Sequence, residues 1–142
     1  MIETIKPSHN IEDYFECVED LMNDGEKSSP KEFWENVVFM RSKNYEVYVY
    51  LIDGKIVATT AILYEYKLRY KQPKAYIEDV AVHKQYRGRG LGKKMVEHCV
   101  KVAKEKNCYK IVLSCNDDLV DFYQGLGFEK DIKQLLSIQT KG

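Results

Sequence analysis

The residues best suited to chemistry lie in Gln85-Tyr86-Arg87-Gly88-Arg89-Gly90-Leu91-Gly92-Lys93. Glycines let a backbone approach a ligand closely and aim successive N–H groups at one spot, while the positive end of a following helix favours an anion there. Arg87, Arg89, Lys93 and Lys94 add local positive charge, so the stretch predicts a pyrophosphate cradle. The bland alternative is a solvated basic loop. Two sharper ones fit less well. A Walker A loop needs Ser or Thr after its Gly-Lys, and here Gly92-Lys93 is followed by Lys94. A dinucleotide fingerprint needs G-x-G-x-x-G directly after its strand, whereas these glycines fall at positions 88, 90 and 92 after a loop.

A second group precedes it. Glu78 and Asp79 interrupt an apolar run from Ala75 to Val82, where strand alternation sends their side chains to opposite faces and one must meet the interior or a cleft. Further on, Phe122-Tyr123 stands before Gly127-Phe128. Such aromatic pairs commonly pack a core, and Phe122 is expected to fill that role here.

These groups need a scaffold. Met1–Lys6 alternates like a short strand, and Asn10 reads as the N-cap of a helix carrying Ile11, Tyr14, Phe15, Val18 and Leu21. Gly25 is placed in the loop beyond. Ser29-Pro30-Lys31-Glu32 combines an N-cap serine, a first-turn proline and a capping-box glutamate, predicting a second helix to about Met40. Tyr45–Ile52 and Ile56–Tyr66 are β-rich runs joined by Asp53-Gly54, a hairpin signal. After the Lys67–Lys74 loop, a strand at Ala75–Val82 leads through the glycine-rich turn to a helix at Gly90–Lys106, with Leu91, Met95, His98, Cys99 and Val102 on one stripe. Ile111–Cys115 is a short strand, Leu119–Leu126 a helix closed by Gly127, and Phe128–Ile138 one or two last strands. Helices thus alternate with strands around a mixed sheet.

Composition narrows the function. The 142 residues suit one domain, spanning 1–142, with 44% hydrophobic residues and no repeat or low-complexity segment. Twenty-two basic residues balance 22 acidic ones, which argues against a general binder of nucleic acid or of membrane surfaces. Cys17, Cys99, Cys108 and Cys115 form no C-x-x-C pair, and His9, His83 and His98 have no metal-ligand spacing. No metal is expected. The absence of a secretory leader points to reduced thiols in the cytoplasm.

Gln85-x-x-Gly88-x-Gly90, with Asn116 and Phe122-Tyr123-x-x-x-Gly127-Phe128 behind it, resembles the GNAT superfamily of acetyltransferases. Ile77-Glu78-Asp79-Val80-Ala81-Val82, Asn107-Cys108-Tyr109-Lys110-Ile111, Leu21-x-x-x-Gly25, Pro30-x-x-Phe33 and Glu65-x-Lys67 are similar to the glucosamine-6-phosphate N-acetyltransferase family within it. The resemblance implies an α/β GNAT fold: a mixed, mostly antiparallel sheet of six to seven strands, about four flanking helices, and a splay between strands four and five, here Ala75–Val82 and Tyr109–Cys115.

It also implies acetyl-CoA as co-substrate, held by Val80, Ala81, Val82, Arg87, Gly88, Arg89, Gly90, Leu91, Gly92, Lys93, Asn116 and Tyr123. In that picture the Val80 N–H polarises the acetyl carbonyl, the Asp79 carbonyl orients the amine and the Tyr123 phenol serves the leaving thiolate. Glu78, Asp79, Lys67, Tyr109 and Lys110 would bind the amino sugar phosphate, with a base role open to Glu78 or Asp79. A homodimer with active sites near its interface is implied, with UDP-N-acetylglucosamine synthesis as the pathway.

The chain departs from the family at Ser114, usually an acid; at Leu119, usually an asparagine; near Ile138, where a basic residue is expected; and at Met22 and Asn23, near a usual threonine. These departures fall mostly on the acceptor side, so another small amine is the first alternative. A non-catalytic acyl-CoA-binding module is the second.

Overall fold

The computed structural model describes residues 1–22 and 27–140; the expectations at Asn23 and Gly25 lie outside the described residues. Five strands, β1 (Ile2–Thr4), β2 (Tyr45–Ile52), β3 (Lys55–Glu65), β4 (Lys74–Val82) and β5 (Lys110–Leu113), form one sheet in chain order. All neighbours are antiparallel except β4 and β5, which run parallel. A parallel pair needs a crossover, and helix α3 (Leu91–Glu105) supplies it.

Local chemistry explains the other elements. Helix α1 (Ile11–Val18) starts at Asn10, whose side chain accepts from the Glu12 N–H. It stops sooner than its apolar spacing suggests, giving way to a 3₁₀ turn at Glu19–Leu21 that carries Leu21 out to 54% exposure. Helix α2 (Pro30–Ser42) has the full capping box between Ser29 and Glu32, a motif typically worth about 1 kcal/mol. The hairpin turn forms at Asp53 and Gly54, both with positive φ, as a type I′ turn requires. Helix α4 (Val120–Gly125) ends where Phe128 N donates to the Tyr123 carbonyl and Gly127 turns at φ 99°.

β3 is buried without a break from Ile56 to Ile62, because both faces of the sheet are covered. α1 and α2 bring Cys17, Val18, Phe33 and Val37 against Val47, Val49 and Ala61. α3 lays Leu91, Met95, Val96, Cys99 and Ala103 on another part of the sheet. That buried stripe differs from the expected one: Val96 and Ala103 take the places of His98 and Val102, which are half-buried, and the His98 ring lies edge-on to Tyr48 at 4.4 Å.

Among the described residues the sheet has five strands, not six or seven. The expected strands in Phe128–Ile138 are absent among the described residues. Among the described residues nothing pairs with the outer edge of β5, which is only four residues long and offers few backbone groups to a further strand. Ile132, Leu135, Leu136 and Ile138 accordingly stay 80–94% exposed. Among the described residues no helix is long and apolar enough to cross a membrane, and no group of His, Cys, Asp or Glu could hold a metal ion.

Candidate active site

β4 and β5 pair only from Lys74/Lys110 to Ile77/Leu113. Beyond that point a cleft of about 250 Å³ opens, lined by Leu21, Ile77, Asp79, Val80, Leu113, Ser114, Cys115, Asn116, Leu119 and Tyr123.

A bulge in β4 shapes this cleft. Thr59 pairs with Ala81 and Ala61 with Glu78, so Asp79 and Val80 together face the single residue Thr60 and neither has a ladder partner. Asp79 sits in the left-handed region at φ 52°, costly for a residue with a side chain. The extra residue breaks the simple alternation expected of Glu78 and Asp79. Asp79 lines the cleft and Glu78 does not. Asp79's charge also lies close enough to Tyr14 to add to the burial that pushes that phenol up to about 12. Partial desolvation, with Asp79's charge second, pushes the Glu78 carboxyl up.

Tyr123 closes the opposite wall. Its ring is 8% exposed and packs edge-on against Phe122 and Phe128 at 5.0 and 5.9 Å. No group among the described residues binds its hydroxyl, and burial, then the neighbouring Cys115, pushes its ionisation up. The expectation that Phe122 fills the core position is overturned: Phe122 is 40% exposed and Tyr123 is the buried one, because the short α4 turns position 123 toward Ile77 and Leu113.

From the cleft, β4 continues about 10 Å to Val82, where the glycine-rich turn begins its approach to α3. Gly88 and Gly90 adopt φ of 82° and 77°, a geometry that favours glycine. Neither would meet another atom within 4 Å on gaining a Cβ, so the space before them is open. Gly90 is the N-cap of α3 and offers no side-chain cap, leaving the first-turn N–H groups for an anion. The Arg87 guanidinium is already engaged, donating to the Val82 carbonyl at 3.1 Å and the Asp20 carboxylate at 2.9 Å. Arg89 lies over the Tyr86 ring, and Lys93 is exposed.

Lys67, Tyr109 and Lys110 gather elsewhere, at the opening of β4. Lys110 is level with Lys74, five residues and so about 16 Å before Asp79 along the strand. Lys67 pairs with Glu65 at 2.9 Å and Lys110 with Asp131 at 2.7 Å, while Tyr109 stacks on Tyr70 at 4.1 Å. A single chain therefore does not bring them together with the cleft. Sequence reasoning missed Leu113, Cys115 and Leu21 as cleft walls. Leu113 and Cys115 could have been found from their places, at the end of β5 and just before Asn116; Leu21 carried its helical spacing and the Leu21-x-x-x-Gly25 resemblance, neither of which assigned it to the cleft.

The chain matches the Acetyltransferase (GNAT) family over residues 10–128, and it belongs to that family. It is 32% identical over 123 residues to a glucosamine 6-phosphate N-acetyltransferase of Dictyostelium discoideum, covering 82% of this chain and 76% of that one. A probable glucosamine 6-phosphate N-acetyltransferase of rice is 38% identical over 86 residues, 59% of this chain and 52% of that protein. The chain thus spans about half the length of the first curated relatives it matches. The crystal structure of the Arabidopsis thaliana glucosamine-6-phosphate N-acetyltransferase superposes with a TM-score of 0.87 at 29% identity, covering 97% of each chain.

Proposed function

We propose that this chain transfers the acetyl group of acetyl-CoA to the amine of glucosamine 6-phosphate in a ternary complex, without a covalent acyl-enzyme. The observation that carries this reading is the unpaired bulge at Asp79–Val80 facing Tyr123 across a cleft. Acetyl-CoA would supply an activated thioester, its pyrophosphate on the N–H groups of Gly88–Lys93 and its arm along Val80, Ala81 and Val82, with Asn116 on the far wall. The Val80 N–H, free of the β-ladder, donates to the oxygen on which charge develops. The Asp79 carbonyl orients the amine, and its carboxylate is better placed than Glu78 to accept the amine proton. The Tyr123 hydroxyl donates to the departing sulfur.

The backbone of Lys110 lies about 16 Å from that of Asp79 along the strand and its ammonium is engaged by Asp131, which supports a homodimer in which a second copy's Lys67–Lys110 end completes the acceptor site. The exposed Ile132, Leu135, Leu136 and Ile138 suit burial against that copy. The four unbridged cysteines favour a reducing compartment, and we assign the cytoplasm. The product would enter UDP-N-acetylglucosamine synthesis.

A second reading, transfer to another small amine, draws on Ser114 and Leu119, which stand in the cleft wall where the resembled family has an acid and an asparagine. Free-thiol release from acetyl-CoA with glucosamine 6-phosphate, glucosamine and unrelated amines separates the two. Equal kcat/KM for both sugars would discard the phosphate, and release with none of them would discard the function.

A further inference from the structure

A bulge that holds a non-glycine residue in the left-handed region must be held from outside. Thr60 lies directly across from it, 1% exposed, opposite both Asp79 and Val80. Its Oγ1 donates to the Glu78 carbonyl at 3.1 Å. A carbonyl can only accept, so the hydroxyl proton is committed there and the oxygen's lone pairs face the other way. On that side stands the Cys99 thiol of α3, 4.0 Å away and wholly buried. The hydroxyl is thus fixed in direction between the crossover helix and the residue where the ladder slips.

We propose that Thr60 is a positioning residue for acetyl transfer: its side chain binds the carbonyl of Glu78, the last β4 residue in register before the slip, and so holds the slip at Asp79 and keeps the Val80 N–H aimed into the cleft. This rests on the function proposed above. Without the hydroxyl, regular pairing of Thr60 with a single residue of β4 would relieve the strain at Asp79, and a shift of one residue turns side chains to the other face. The Val80 N–H would then return to the ladder.

Thr60→Val keeps the shape and removes the hydroxyl; Thr60→Ser keeps the hydroxyl; Thr60→Ala replaces the valine variant if that one does not fold. Misplaced oxyanion donors cost about 10²–10³-fold, and partial loss of aim predicts a kcat about 10–100-fold lower in Thr60→Val. KM for acetyl-CoA should stay within about twofold, since the glycine-rich turn is untouched, and serine should restore kcat to within about threefold. Amide hydrogen exchange at Asp79 and Val80 should change in the valine variant and not in the serine one. Unchanged turnover in Thr60→Val, or lost turnover with unmoved Asp79 and Val80 amides, would overturn the proposal. A wild type that releases no thiol with any amine would sink the function instead, and the amide comparison would then decide for or against Thr60 by itself.

Discussion

Arg87 and Asp20, 67 residues apart in the chain, meet at 2.9 Å and tie the turn before α3 to the 3₁₀ turn after α1. Lys84 and Glu19 repeat the tie at 2.7 Å. The contact with Arg87 holds the Asp20 carboxyl below its usual range. Leu21, the next residue, reaches the cleft wall from this anchored turn.

Asp20 therefore offsets a positive charge beside the proposed pyrophosphate site. Asp20→Asn should tighten coenzyme A binding by about two- to fivefold at low salt, and the gain should vanish near 0.5 M salt, where screening acts over roughly 3–5 Å. Arg87→Ala should weaken binding. Titration calorimetry at two salt concentrations checks both signs; unchanged or tighter binding in Arg87→Ala would show that the guanidinium does not hold the pyrophosphate.

Gly90 separates strain from obstruction. Valine there would be strained at φ 77°, whereas asparagine tolerates that conformation. Gly90→Asn should fold with a Tm within a few degrees of wild type yet bind acetyl-CoA at least about tenfold more weakly, its side chain standing where the anion approaches α3. Gly90→Val should lose both Tm and binding. Thermal melts beside calorimetry measure the two effects, and undiminished affinity in a folded Gly90→Asn protein would remove the cradle.

Tyr123→Phe deletes a hydroxyl that no described residue binds and keeps a ring packed against Phe128, so Tm should scarcely move. General-acid assistance is worth about 10²–10⁴-fold, and kcat should fall by that order with the Kd for acetyl-CoA unchanged. Burial raises this phenol's ionisation, so the donor persists past the ordinary tyrosine value. The alkaline fall in wild-type kcat should lie above about pH 10. A wild-type kcat in the phenylalanine variant would make Tyr123 a packing residue.

Cys17 and Cys99 are buried, and burial pushes both thiols up to about 12. The unfolded chain releases these protons near its ordinary thiol value while the native protein keeps them, so the unfolded state binds fewer protons and stability falls as pH rises. The loss should begin near pH 9 and continue toward 12, at about 1.4 kcal/mol per pH unit for each thiol. Urea midpoints at pH 7.5 and 10.5 read the slope. Cys17→Ala should flatten it by one thiol's share, and an unaltered slope would assign the decline to other groups.

Removing residues 131–142 tests the proposed homodimer. The shortened protein should sediment as a monomer, retain acetyl-CoA binding within about threefold, and lose turnover of glucosamine 6-phosphate. A dimer that survives the deletion would place the contact elsewhere.

Capped helices and the hairpin were legible because their signals are local: Ser29 with Glu32, Asn10, and Asp53-Gly54 each act on atoms within a few residues. The glycine-rich turn was legible for the same reason, since positive φ at Gly88 and Gly90 is written in residue type. The bulge was not. Nothing in Glu78-Asp79-Val80 says that Asp79 adopts a left-handed conformation, because the partners involved, Thr60 and Cys99, come from β3 and α3. The burial of Tyr123 over Phe122 was likewise hidden, as it depends on the rotation of a six-residue helix. The last strands were expected from the residue types of Phe128–Ile138 and from the family resemblance, neither of which fixes backbone pairing at the short edge of β5.

The sheet's consecutive strand order has a consequence for assembly. The β2–β3 hairpin closes across two residues and β4 follows after an eight-residue loop, all antiparallel, so β2–β4 can zip from a local nucleus. β5 must wait for a 27-residue excursion through α3 before it finds β4, and non-local closures are slow. The wall that completes the cleft thus docks after β2–β4, and its pairing with β4, four residues long, is short enough to part early in reverse. A ligand spanning β4, the start of α3 and Asn116 would clamp that late joint, making occupancy of the site a brake on unfolding from the β5 edge.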